Sequence, residues 1–287
     1  MTRPTVLAGL ALALVVVPVA ALRPAATSPK IVFVSSRASG AALETIHANG
    51  RGQRQITSRS AGVEAPAWSR NGRLIAYARS SGTAQGIAIV KASGGKPRTL
   101  TNSSHFDGSP SWSPDGRRIV FDRDSELHVI NAGGRGLRDL GVKGMYPAWS
   151  PDGKRIAFSA NLTGQSRLFV MYANGSRRRQ LDTTGGSDFL PRWSPNGKLI
   201  AFVGSVERNF DVYVVPVAGG KPRRLTQDTG QDLGPSWSPD GRRLVFSSDR
   251  RGGFDLYTMK ANGSSVRRIT QGAGDEKDPA WQPRPAG

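Results

Sequence analysis

The sequence predicts an all-β fold, a six-bladed β-propeller of four-stranded antiparallel blades, and three observations carry that expectation. All six tryptophans, Trp68, Trp112, Trp149, Trp193, Trp237 and Trp281, sit in one context, PAWS, PSWS, PAWS, PRWS, PSWS and PAWQ, at spacings of 44, 37, 44, 44 and 44 residues. Self-similarity at such a period marks a repeat architecture. Each of the first five tryptophans is followed nine residues later by an aromatic in a β-type run, Tyr77, Phe121, Phe158, Phe202 and Phe246. Further apolar runs follow at Ile87, Leu168, Val212 and Leu256, and then at Leu100, Leu181, Leu225 and Ile269. The short repeat keeps Leu127 and Leu140 in phase and loses residues only in its connections, where change is tolerated. Four short strands per repeat of this length is the unit of a propeller blade.

Taken in chain order, residues 1–21 read as an export signal, with Arg3 before an apolar run from Val6 to Leu22 and small residues Val19-Ala20-Ala21 at a cleavage point. An uncleaved anchor is the rival reading, disfavoured by Pro18 and by a run shorter than the ~20 residues of a spanning helix. Residues 22–30 lack apolar periodicity and form a linker. The propeller spans 31–282, and 283–287 is a tail. Phe33, Leu43 and Ile56 continue the repeat phase with no tryptophan strand before them, while Trp281 has no strands after it. Joining the three to the one completes a sixth blade, closes the ring and buries the sheet edges. Between the first and second strands of a repeat, SPDG at 113–116, 150–153 and 238–241 and SPNG at 194–197 supply Pro, Asp or Asn, and Gly for a tight turn. SRNG at 69–72 keeps that turn without its Pro, and AlaAsnGly at 48–50, 173–175 and 261–263 serves the next hairpin.

The stretch PSWSPDGRRLVFSSDRRGGFDLYTMKANGSSVRRIT at 235–270 resembles the PD40, WD40-like repeat of TolB-type propellers, and the likeness extends over residues 31–282. The resemblance implies a periplasmic or otherwise exported protein that binds other envelope proteins. TolB-type proteins carry an α/β domain before the propeller. Nine residues separate the export signal from the first strand, so a propeller-only chain is expected. The same repeat occurs in serine peptidases of the prolyl oligopeptidase kind and in polysaccharide lyases. A peptidase would need an α/β-hydrolase domain with its GxSxG elbow, and no GxSxG occurs.

With no Cys, thiolate chemistry is excluded, and with only His47, His105 and His128 in no close pair a histidine-built metal site is not expected. The shared phase of the six tryptophans assigns them to packing between blades. Asp115, Asp152 and Asp240 are turn formers for the same reason. A sharper signal stands five residues before each tryptophan, at the entry to the innermost strand: Val63, Asp107, Gly144, Asp188, Asp232 and Glu276, with Glu64 beside the first. If these positions converge on the axis, Asp107, Asp188, Asp232, Glu276 and Glu64 form a negative mouth for Ca²⁺ or a Lys/Arg-bearing peptide. The alternative at each position is an acid that caps its own loop. The net charge of +19 favours weak contact with anionic surfaces through basic residues around the last strand of each repeat. No motif for specific nucleic-acid binding is present. The expected function is an exported, non-enzymatic binding module for a protein or cell-envelope ligand, monomeric and without a cofactor unless the channel holds Ca²⁺. The alternative is a propeller-type lyase or hydrolase using channel carboxylates.

Overall fold

The computed structural model describes residues 29–284, apart from 61, 82–83, 183, 207–208 and 273. The export signal, most of the linker and the last three residues of the tail lie outside the described residues. The rest forms six four-stranded antiparallel sheets arranged as six blades. Their innermost strands are Gly62–Trp68, Asp107–Trp112, Met145–Trp149, Ser187–Trp193, Asp232–Trp237 and Asp275–Trp281. Each inner strand packs against the next, and the last packs against the first, so the ring is closed.

Closure follows the predicted route. Asp275–Trp281 pairs with Lys30–Arg37, which continues into Gly40–His47 and the outer Arg54–Gln55. Lys30 thus belongs to the first strand and not to the linker. The Gln282 backbone N–H donates to the Lys30 carbonyl at 2.8 Å, and the Gln282 side chain reaches the carbonyl of Gly72 in the neighbouring blade.

Sequence and local structure agree at each turn. In SPDG the Ser113 hydroxyl donates to Asp115 at 2.5 Å, Asp115 accepts the Arg117 N–H at 3.0 Å, and Gly116 takes the positive φ of 68° that the turn requires. The Ser113 hydrogen bond is the main reason the Asp115 carboxyl lies below its usual range. At the far end of the repeat, the hydroxyls of Thr57, Thr101, Thr226 and Thr270 accept a backbone N–H from within the third strand, at 2.8–3.0 Å. Between blades the core is made of the second-strand aromatics, of which Phe33, Phe121, Phe158, Phe202 and Phe246 are fully buried.

The tryptophans stitch blade to blade, as their phase predicted. The indole N–H of Trp68, Trp112, Trp193 and Trp237 donates to the carbonyl of Ala280, Ala67, Ala148 and Arg192 in the preceding blade, at 3.0–3.2 Å. Where that preceding residue is Ser111 or Ser236, its hydroxyl instead accepts the backbone N–H of Trp149 or Trp281. The indole N–H groups of those two tryptophans have no partner among the described residues. At the outer edge, exposed arginines of the short last strands do similar work. Arg98 reaches the Ala132 carbonyl, Arg223 that of Asn262, and Arg267 that of Asn49, which ties the ring shut at its rim. The basic rim is therefore partly a set of inter-blade clasps.

Candidate functional site

Every repeat places a proline two residues before its tryptophan: Pro66, Pro110, Pro147, Pro191, Pro235 and Pro279. Proline has no N–H for the ladder, so inside a sheet it belongs at an edge or a bulge. The pairing of each inner strand with its neighbour shifts register at this point, between Glu64 and Ala67, Gly108 and Ser111, Met145 and Ala148, Phe189 and Arg192, and Leu233 and Ser236, with the equivalent shift in the closing strand. The residue before each proline takes the left-handed conformation: Ala65, Ser109, Tyr146, Leu190, Gly234 and Asp278, with φ between 46° and 60°. Only one of the six is glycine. A non-glycine residue held there costs on the order of 1–3 kcal/mol, and the ring makes that conformation at six equivalent places.

The bulge decides what faces the axis. An extra residue in one strand re-aims the side chains on either side of it. Ala65, Ser109, Tyr146, Leu190, Gly234 and Asp278 all line one axial cavity of about 480 Å³, together with Glu64, Phe106, Asp122, Asp124 and Met145. That volume falls within the range of ligand sites. Four carboxylates line it, and three of them, Glu64, Asp122 and Asp278, act on Tyr146. Burial pushes the Glu64 carboxyl up, and Asp278 pushes it further. Asp122, 4% exposed, is also raised by burial, although it accepts the Tyr146 N–H at 3.1 Å. The Tyr146 hydroxyl is raised by burial and then by Asp122, Asp278 and Glu64 in turn. Asp278 accepts the Ala65 N–H at 3.2 Å, which binds the last inner strand to the first. Phe106 is exposed at the lip, and its neighbour His105 pairs with Asp124.

The four acids expected to converge on the axis do not meet, and this corrects the sequence reading. Asp107, Asp188, Asp232 and Glu276 are each no more than 1% exposed, and none lines the axial cavity. Each finds its partner close by in its own part of the ring, although one oxygen of Glu276 has none among the described residues. Arg123 forks onto Asp107 at 2.6 and 2.8 Å, Arg250 onto Asp232 at 2.9 and 3.0 Å, and Arg37 donates to Glu276 at 2.6 Å. Asp188 has no such cation and takes the Thr184 hydroxyl at 2.6 Å. Of the five named acids, Glu64 alone stands at the cavity. The residues missed were Asp122, Tyr146 and Asp278, and the proline before every tryptophan was the signal that could have found Tyr146 and Asp278. Among the described residues no three His, Asp or Glu side chains come together as a metal-holding group.

Burial, only partly offset by the Thr184 hydrogen bonds and the charge of Arg167, pushes Asp188 up to about 6. A carboxyl raised above its unfolded value near 3.9 contributes stability below that pH, which is lost as pH rises through about 6. The expected result is that Asp188→Asn stabilises the protein by about 2–3 kcal/mol at pH 7.5 and leaves it little changed at pH 4. Chemical denaturation at both pH values checks this, and equal effects at the two would refute it. Asp232 is pushed up by burial as well, although the hydrogen bonds from Arg250 favour its ionised form.

The opposite end of the axis has a different character. All six tryptophans, six of the prolines that follow or precede them and the arginines Arg70, Arg192 and Arg284 line a second cavity of about 430 Å³. No carboxylate lines it. Arg192 occupies the position before the tryptophan, where the other blades have Ala67, Ser111, Ala148, Ser236 and Ala280, and it borders both cavities.

A closed ring of PD40-like blades around such a channel defines a TolB-type propeller. The chain belongs to the PD40 family, the TolB beta propeller domain, which matches residues 142–286. Among solved structures it is similar to TolB from Acinetobacter baumannii, with 22% identity and a TM-score of 0.82 over 89% of this chain and 67% of that one. It is also similar to a putative TolB from Agrobacterium tumefaciens, with 30% identity and a TM-score of 0.58 over 62% of this chain and 66% of that one. The chain thus spans about two thirds of the length of each. A chain of a nidogen/laminin complex shares the fold at 12% identity and a TM-score of 0.76, over 90% of this chain and 100% of that one. No curated protein matches the chain.

Proposed function

We propose that this protein is an exported, non-enzymatic binding module of the cell envelope, and that it takes a protein ligand at the acidic mouth of its channel. The observation that carries the reading is the cluster of Glu64, Asp122 and Asp278 around Tyr146 in one cavity, with Phe106 exposed at the lip. Like charges held together in partly desolvated surroundings raise each other's pKa until a cation relieves them. A Lys or Arg side chain of a partner does so, with Phe106 and Tyr146 giving its stem apolar contact. Ca²⁺ is the competing guest at the same carboxylates. The free arginines of the rim add weak contact with anionic surfaces, screened over ~8 Å at physiological salt. The propeller acts as a monomer in this reading.

The test is capture from an envelope extract on immobilised protein, comparing wild type with a Glu64→Gln, Asp278→Asn double variant. Asparagine keeps the acceptor for the Ala65 N–H, so the fold is retained. The expected outcome is a partner captured by wild type and lost, or weakened about tenfold or more, in the variant at unchanged melting temperature. Equal capture by both would remove the acidic mouth from the function. A lyase or hydrolase would draw on the same Glu64 and Asp278, and turnover of a polysaccharide or peptide panel by wild type but not by the variant would establish that reading instead.

A further inference from the structure

Arg192 is half-buried among the inner strands and lies where the acidic cavity meets the tryptophan-lined one. Among the described residues no carboxylate lies within 4.0 Å of its guanidinium. Its one hydrogen bond is to the carbonyl of its own neighbour Pro191, at 3.0 Å. A guanidinium has five N–H donors in a planar fork that matches a carboxylate. Burial pushes its pKa down and Asp278 offsets only part of that, so the charge is held in the channel at a cost. The other arginines forking onto acids in this protein, Arg123 and Arg250, are matched by Asp107 and Asp232. For Arg192, which borders both cavities, no such carboxylate is present among the described residues.

We propose that Arg192 is an anion-binding residue, and that the tryptophan-lined mouth admits a small carboxylate carried on a flat apolar ring. The carboxylate docks in the Arg192 fork. The ring lies among the tryptophan and proline side chains that line the wall, and Arg70 and Arg284 at the same mouth draw the anion in. The cavity of about 430 Å³ has room for such a molecule. Charge separates the two ends of the channel: Glu64, Asp122, Asp124 and Asp278 line one, and three arginines with no acid line the other. An anion therefore enters from the tryptophan side. The proposal does not rest on the acidic mouth being the partner site.

Benzoate is the probe, with acetate lacking the ring and benzyl alcohol lacking the charge. Binding is measured by calorimetry and by the six indole N–H signals of the ¹⁵N spectrum, since every tryptophan lines this mouth. The expected result is saturable benzoate binding that shifts indole signals, weaker binding of acetate and none of benzyl alcohol. Arg192→Met should weaken benzoate about tenfold or more, and Arg192→Lys, which keeps the charge and loses the fork, should fall between. The Trp237 indole bonds to the backbone carbonyl of residue 192, so its signal should persist in both variants and report an intact fold. Absence of benzoate binding at about 10 mM, or equal affinity in wild type and Arg192→Met, would overturn the proposal. Glu64→Gln should leave benzoate affinity unchanged, and a loss there of the size seen in Arg192→Met would place the site at the wrong mouth.

Discussion

Removing residues 275–287 is expected to abolish the cooperative unfolding transition of the propeller. That segment is the inner strand of the blade that holds the ring together, and it pairs with Lys30–Arg37 along its length. Without it the first strand presents an unpaired edge, and the inner strands at 62–68 and 232–237 lose the neighbour between them. Trp281 packs with Ile31, Phe33, Ile46, Val245, Leu256 and Ile269, residues from two adjacent blades. The single change Trp281→Ala should therefore cost about 3–5 kcal/mol. At about 2–4 °C per kcal/mol for a chain of this size class, its melting temperature should fall by roughly 6–20 °C. Differential scanning calorimetry checks both variants. A truncated protein that melts where the full chain does would mean that the closing strand is not what holds the ring.

Arg123→Met should destabilise the protein by about 3–5 kcal/mol, because it strands a buried carboxylate. Asp107 has no solvent-exposed side-chain surface, and both its oxygens accept from Arg123. Adding Asp107→Asn to Arg123→Met should recover at least half of the loss, since a neutral amide is far cheaper to bury than an unpaired charge. Urea denaturation of the four proteins of the cycle measures the coupling. If the double variant is no more stable than Arg123→Met alone, the loss comes from packing and not from charge. The same logic explains why Asp107, Asp232 and Glu276 do not serve the channel: an arginine already neutralises each of them inside the blade.

The blade count, the strand order within each blade and the velcro-like closure were legible because they depend on spacing along the chain. Trp68 to Trp281 hold one phase, and residues in one phase of a stacked repeat occupy equivalent places. The fate of individual acids was not legible in this way. Asp107, Asp188, Asp232 and Glu276 share a phase, and simple alternation along a strand sends that phase to the axis. One added residue in each inner strand, at the Tyr146-Pro147 and Asp278-Pro279 type of step, turns the next position inward instead. The arginines that neutralise three of the four acids come from other strands and loops: Arg123 lies 16 residues after Asp107 and Arg37 lies 239 before Glu276.

The sequence by itself determined the architecture, because hydrophobic periodicity and turn chemistry act over a few residues and repeat six times. Tertiary structure alone decided the chemistry of the channel. It gathered Glu64, Asp122 and Asp278, from three different blades, around Tyr146, and it left Arg192 facing the axis without a carboxylate. These are single residues at positions where the other repeats carry something else. A repeat pattern records what the blades have in common, whereas a site at the centre of a closed ring is built from their differences, and those come within reach of one another only when the ring closes.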